Sequence, residues 1–196
     1  MELNDIELVA MVKAGDERRA FTALVRRHQA KLRAFLLRLC GNGALADDLA
    51  QSAFMKAHAG LSNFTGGGSF RSWLYAIGYR EFLQDARKAR AAARLQETLE
   101  AGADDSTQPS TEPGLSLDLR RALASLDDME RGAILLCDAA GLSHSEAAAA
   151  LEAPLGSIKT YVARAREKMR ALLSAEPAHP DRQNATQPIE GPCHAC

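Results

Sequence analysis

Aromatic residues make up only 5% of this 196-residue chain. Val, Ile, Thr and Tyr are sparse, and alternating apolar and polar runs are hard to find, so β-sheet architectures are not expected. No apolar run approaches the length of a membrane span, and no basic-plus-apolar signal peptide opens the chain. The expected compartment is therefore the cytoplasm, with no membrane insertion. There is no phosphate loop, no nucleophile elbow and no His/Asp cluster, so an enzyme is not expected. The 4 cysteines do not make a disulfide framework. Cys40 and Cys137 fall within predicted helices, where a lone Cys behaves as a small apolar residue.

What is present is a helix-forming apolar set. Hydrophobic residues reach 46%, dominated by Ala and Leu, enough for a packed core. The expected fold is all-α, in two small helical domains. Phe21, Leu24, Val25, Leu32, Phe35, Leu36 and Leu39 repeat at helical spacing between Asp16, a candidate cap, and Cys40. A short helix over Asp5–Ala14 precedes them. Helices over Ala44–Ala59 and Ser69–Leu95 follow, the latter with Phe70, Trp73, Leu74 and Ile77 facing inward. "LSNFTGGGSF" separates these two. Further on, helices are expected over Leu117–Leu126 and Met129–Ala140. Ser143 and Glu146 form a capping box for a short helix ending at Leu151, and Pro154 suits the first turn of the last helix.

The formal net charge of -1 hides a segregation of charge. From Arg18 to Arg38 the charged residues are Arg18, Arg19, Arg26, Arg27, Lys31, Arg33 and Arg38, all basic. A second basic stretch holds Arg80, Arg87, Lys88, Arg90 and Arg94. Leu95 to Leu119 carries Glu97, Glu100, Asp104, Asp105, Glu112 and Asp118, with no Lys or Arg. Its "DDSTQPSTEPG" core is too polar to order itself. The predicted organisation is a domain over 1–96, a flexible acidic linker over 97–115, a second domain over 116–174, and a disordered tail over 175–196. The linker's acids are expected to screen the basic faces or to act as an extended spacer.

In "PLGSIKTYVARAREKMR" the apolar stripe is Ile158, Val162, Ala165, Met169, Leu172 and Leu173. Lys159, Thr160, Ala163, Arg164 and Arg170 fall opposite, with Ser157 at the N-terminal end. A capped short helix, a turn, small residues and a basic exposed face together make a helix-turn-helix signature. Lys159 and Arg164 can reach guanine edges, where a bidentate contact discriminates by about 1–3 kcal/mol. Most charged helical faces only keep a helix in solution; the coincidence of four features favours DNA.

"ALASLDDMERGAILLCDAAGLSHSEAAAALEAPLGSIKTYVARAREKMRALL" resembles the promoter-binding domain of extracytoplasmic-function (ECF) sigma factors, sigma-70-type subunits of bacterial RNA polymerase. Its Leu-Asp-x-x-x-Arg lead-in, Gly-Leu-Ser turn, Pro-x-Gly-Ser-x-Lys start and Arg-Ala-Arg carry the likeness. "ADDLAQSAFMKA" is similar to the family's polymerase-binding helix, and "FRSWLYAIGYREFLQDARK" to its promoter-opening helix. The resemblance implies a region 2-like bundle and a region 4-like helix-turn-helix, with core RNA polymerase and promoter DNA as partners. An anti-sigma factor is a further implied partner, and a stress or signal response the implied setting. Polymerase binding falls on Asp47, Asp48 and Gln51. Contacts to the −10 element fall on Asn63, Phe64, Ser69, Arg71, Arg80, Arg87 and Lys88. Contacts to the −35 element fall on Ser157, Lys159, Thr160, Arg164 and Arg166. Phe64 serves equally as a stacking ring or a core anchor, and Asp47 and Asp48 as dipole-favouring acids of a first helical turn. The chain departs from the family at Gly78, Tyr79, Arg80 and Gln84, and at Ala163. A stand-alone dimeric helix-turn-helix regulator is the rival. No cofactor is expected. Cys193, His194 and Cys196 are metal-capable but too few for a closed tetrahedral site, and the thiol pair is a candidate sensor of oxidant or soft metals in an otherwise inert tail.

Overall fold

A computed structural model describes residues 3–66, 68–99 and 117–174 of the chain, with side chains of the first two segments described as far as residue 95. Residues 100–115 of the predicted linker, and the tail with Cys193, His194 and Cys196, lie outside these residues. Every described element is a helix. The first module holds α1 (Asp5–Lys13), α2 (Glu17–Cys40), α3 (Gly43–Gly60), a single 3-10 turn (Leu61–Asn63) and α4 (Phe70–Leu99). The second holds α5 (Leu117–Ala124), α6 (Asp128–Ile134, continued by a π turn over Leu135–Ala139), α7 (His144–Leu151) and α8 (Leu155–Ser174). Helix α4 thus runs three residues into the segment predicted as linker.

Local chemistry sets most of the boundaries. Capping boxes start α1 at Asn4/Glu7, α6 at Asp127/Glu130 and α7 at Ser143/Glu146. Each satisfies two N–H groups that a helix start leaves open. Asp16, by contrast, makes no capping bond with its side chain. Gly41 takes a left-handed conformation (φ 69°) that ends α2, and Asn42 then caps α3 through the Leu45 N–H at 3.0 Å. Pro154 stands just before α8 rather than inside its first turn, and its carbonyl accepts from the Ser157 and Ile158 N–H groups.

The first core packs Leu24, Leu32, Phe35 and Leu36 of α2 against Ala46, Ala53 and Ala57 of α3 and Phe70 and Leu74 of α4. Alanines on α3 let the helices approach closely. Gly78 extends this on α4, since a methyl group there would lie 3.2 Å from Leu32. Trp73 is only half-buried, beside Phe64 and Phe70. The second core gathers Leu126, Leu136, Ala147, Ile158, Val162 and Ala165. Buried Glu130 is matched by the Lys168 ammonium at 2.6 Å. Leu172 and Leu173, expected on the buried stripe, are 45% and 46% exposed, because the end of α8 outruns the helices it packs on.

The two modules are docked on each other. The Tyr79 hydroxyl of α4 donates to the Asp128 carbonyl at 2.9 Å, and its ring lies over Gly132 of α6. A methyl group on Gly132 would stand 2.7 Å from that ring. Arg71 donates to the Gly141 carbonyl at 3.0 Å, Arg131 to the Leu39 carbonyl at 3.4 Å, and Arg90 to the Asp128 carboxylate at 2.8 Å.

Candidate nucleic-acid interface

Helix α7, a tight turn and α8 build the helix-turn-helix. Glu152 closes α7 in the left-handed region (φ 52°), a place that favours glycine. Three residues, Glu152 to Pro154, join the two helices, and Ser157 stands near the start of α8. Ile158, Val162 and Ala165 anchor α8, which leaves Lys159, Thr160, Ala163, Arg164 and Arg170 exposed on the opposite side. Lys159 and Arg164 make no ion pair among the described residues. Thr160 donates its hydroxyl to the Gly156 carbonyl at 3.1 Å. Arg166 is held by both Asp138 oxygens, at 3.0 and 2.6 Å, which raises its already high pKa.

The Asn63–Ser69 loop joins α3 to α4. Asn63 is exposed at its start. Phe64 packs edge-on to Phe70 and tilts on Trp73, with ring centroids 6.2 and 5.0 Å away. Phe64 is half-buried there. Lys13 fixes the loop backbone by donating to the Phe64 carbonyl at 2.6 Å, and Gly66 needs its φ of 77°. Ser69 accepts from the Ser72 N–H and so starts α4. The same hydroxyl donates to Glu146 of α7 at 2.8 Å. Glu146 is held below the ordinary carboxylate range first by the Ser143 N–H, then by the Ser69 and Ser143 hydroxyls. Arg71 is taken by Gly141, and Arg80 lies 3.4 Å from Glu152. Three of the seven −10 candidates are therefore engaged by the helix-turn-helix module. Arg87 and Lys88 are exposed further along α4 and unpaired among the described residues.

On α3, Asp47, Asp48 and Gln51 are exposed and share a polar side. They lie beyond the first turn of the helix, so the dipole does not explain the acids. Asp47 pairs with Arg33 of α2, whose hydrogen bond lowers the Asp47 pKa. Beside them runs a groove of about 770 Å³ between α2 and α3, lined by Phe21, Val25, Ala50, Phe54 and Met55. Met55 is 65% exposed. Sequence reasoning missed this apolar strip; the signal was an unexplained Met within the polar side of α3.

Residues 24–92 match the family model described as sigma-70 region 2, and residues 116–169 match sigma-70 region 4. The chain belongs to the ECF sigma factors. It is 36% identical to the ECF RNA polymerase sigma factor EcfG of Rhodopseudomonas palustris (strain TIE-1), over 75% of this chain and 81% of that protein. It is 34% identical to the ECF RNA polymerase sigma-E factor of Escherichia coli (strain K12), over 85% and 92%. Among solved structures it resembles the sigma factor RpoE from Bartonella quintana, in complex with the anti-sigma factor NepR (TM-score 0.66, 32% identity, 80% of this chain and 98% of that one). A sigma factor catalyses no reaction of its own: it directs core RNA polymerase to promoters. Region 2 of this sigma factor spans most of α2 through α4, and region 4 spans α5 through most of α8. Two matched regions in order leave no support for the dimeric regulator. No described helix is long and apolar enough to cross a membrane.

Proposed function

We propose that this sigma factor divides promoter reading between the two surfaces just described. Region 4 takes the −35 duplex in the major groove, with Lys159 and Arg164 on base edges and Thr160 on a phosphate or thymine methyl. Ser157 presents the N-terminus of α8 to a phosphate. Arg166, aimed by Asp138, tracks the backbone beside it. In region 2, Asn63 and Phe64 receive an unstacked −10 base, an extrusion that costs a few kcal/mol and needs a shaped pocket. Ser69, Arg71 and Arg80 flank that base, and Arg87 and Lys88 follow the phosphates along α4. The groove between α2 and α3 seats a helix of the polymerase clamp, with Asp47, Asp48 and Gln51 meeting its polar side. An anti-sigma factor, such as the one bound to Bartonella quintana RpoE, is the proposed regulator in a stress or signal response, and the cytoplasm the proposed site of action.

The observation that carries this assignment is the pairing state of α8. Lys159 and Arg164 face solvent with no acid partner among the described residues, on the first half of a helix whose opposite side is buried there through Ile158, Val162 and Ala165. Transcription in vitro with core polymerase, on the DNA upstream of its own gene, tests it. Lys159→Ala and Arg164→Ala should each cut initiation about tenfold or more, while core binding stays unchanged. Full initiation by the double variant would remove the −35 assignment.

A further inference from the structure

The basic run on the first half of α2 has no role in the surfaces above. Arg18, Arg19 and Arg26 are exposed and make no ion pair among the described residues. With Arg27 they line a shallow depression whose one acid is Asp16. Arg27 is already spoken for, donating to the Asp5 carboxylate and the Leu3 carbonyl, each at 2.7 Å. Neighbouring acids are committed elsewhere too: Glu17 pairs with His58 at 2.8 Å. Three guanidinium groups thus stand within about two helical turns with one acid, Asp16, beside them, which leaves the patch a net positive charge.

Position gives the patch its meaning. The α1–α2 corner is tied to the loop that takes the −10 base. Lys13, at the end of α1, holds the Phe64 carbonyl, and Glu17, at the start of α2, holds His58 near the end of α3. The docked region 4 covers the other flank of the loop, through Ser69, Arg71 and Arg80. A single strand bound at Asn63 and Phe64 leaves the loop on two sides. One side leads along α4 toward Arg87 and Lys88; the other leads over the α1–α2 corner.

We infer that Arg18, Arg19 and Arg26 form a phosphate track for the melted promoter strand where it leaves the −10 loop over the α1–α2 corner. This rests on the −10 assignment above and extends the DNA footprint of region 2 to α2. Recognition is by charge, so it is salt-sensitive and indifferent to base sequence.

The test uses the full chain bound to core polymerase and three single-stranded DNAs. One ends at the −10 element of a promoter it transcribes; the others extend that strand by about six nucleotides on one side or the other. One extension should tighten binding, and Arg18→Ala/Arg19→Ala/Arg26→Ala should abolish that gain while leaving the short strand unaffected. The slope of log K against log salt for the extended strand should fall by about 2 for three lost phosphate contacts. The corresponding triple Lys variant should keep the gain, which separates charge from folding. The inference is overturned if neither extension tightens binding or the triple Ala variant retains the gain. It is equally overturned if that variant weakens all three DNAs alike, or weakens only the attachment to polymerase, which would make the patch a protein contact. Asn63→Ala on the short strand tests the loop separately, so failure there is distinguishable from failure of the track.

Discussion

Gly132→Ala acts in opposite directions on the two levels of this structure. Gly132 is buried in α6, and an added methyl would lie 2.7 Å from the Tyr79 ring and 2.9 Å from its hydroxyl. The ring is rigid and buried between the modules, so it cannot swing aside as a flexible chain would. Forcing an extra methyl into a packed contact costs about 1–3 kcal/mol. The cost falls on docking, because Tyr79 belongs to region 2. Within α6 itself, Ala is the better helix former by about 0.8–1.0 kcal/mol. The variant should therefore shift the docked-to-undocked ratio by roughly 5–150-fold toward undocked while making region 4 more resistant to local unfolding. Small-angle scattering or a fluorophore pair across the modules reads the first effect, and amide exchange in α6 reads the second. Tyr79→Phe, which removes only the bond to the Asp128 carbonyl, should shift docking in the same direction by less. A variant with unchanged scattering and unchanged inter-module distance would refute the account of Gly132 as the contact point.

Glu152 holds a left-handed conformation at a cost of roughly 1 kcal/mol, so Glu152→Gly should raise the denaturation midpoint of region 4 while weakening its hold on Arg80. His28 is buried against Asp5 at 2.8 Å, and burial lowers its pKa more than Asp5 raises it, with Arg27 and Arg71 adding to the lowering. A folded-state pKa below the unfolded value of about 6.5 means stability is held above that pH and lost as pH falls through it. Denaturant titration at pH 7.5 and 5.5 should show the loss, and His28→Gln should flatten it. Met55→Lys should leave the fold intact, since Met55 is mostly exposed, yet weaken core polymerase binding about tenfold or more; unchanged affinity in a pull-down titration would remove the groove from the polymerase surface.

Much of the fold was legible because its signals are local. The Ser143/Glu146 box, the break after Cys40 and the helical spacing from Phe21 to Leu39 each act within one or two turns. The exposed Lys159/Arg164 face followed from the same periodicity. What escaped was long-range. Leu172 and Leu173 obey the stripe of α8, but nothing in their own neighbourhood says where the partner helices stop. Asp16 has a capping residue's chemistry without its bond, as the backbone there is not extended. The docking of the modules was invisible as a contact, yet its address was written as an irregularity. Tyr79 and Arg80 depart from the family pattern and meet Gly132 and Glu152 of the other module, while the neighbouring departure at Gly78 serves the packing on Leu32 within its own module.

The carboxylate of Glu146 starts α7 and also grips the Ser69 hydroxyl in the other module. Both halves of that grip sit on one polypeptide, so its occupancy follows first-order statistics: dilution cannot loosen it and abundance cannot tighten it. A molecule that claims Ser69, Arg71 or Arg80 for itself, or that pulls the halves apart by binding both, changes what fraction stands open. The open fraction is thereby set by competitors, while the number of open copies rises in proportion to the cell's stock of this chain.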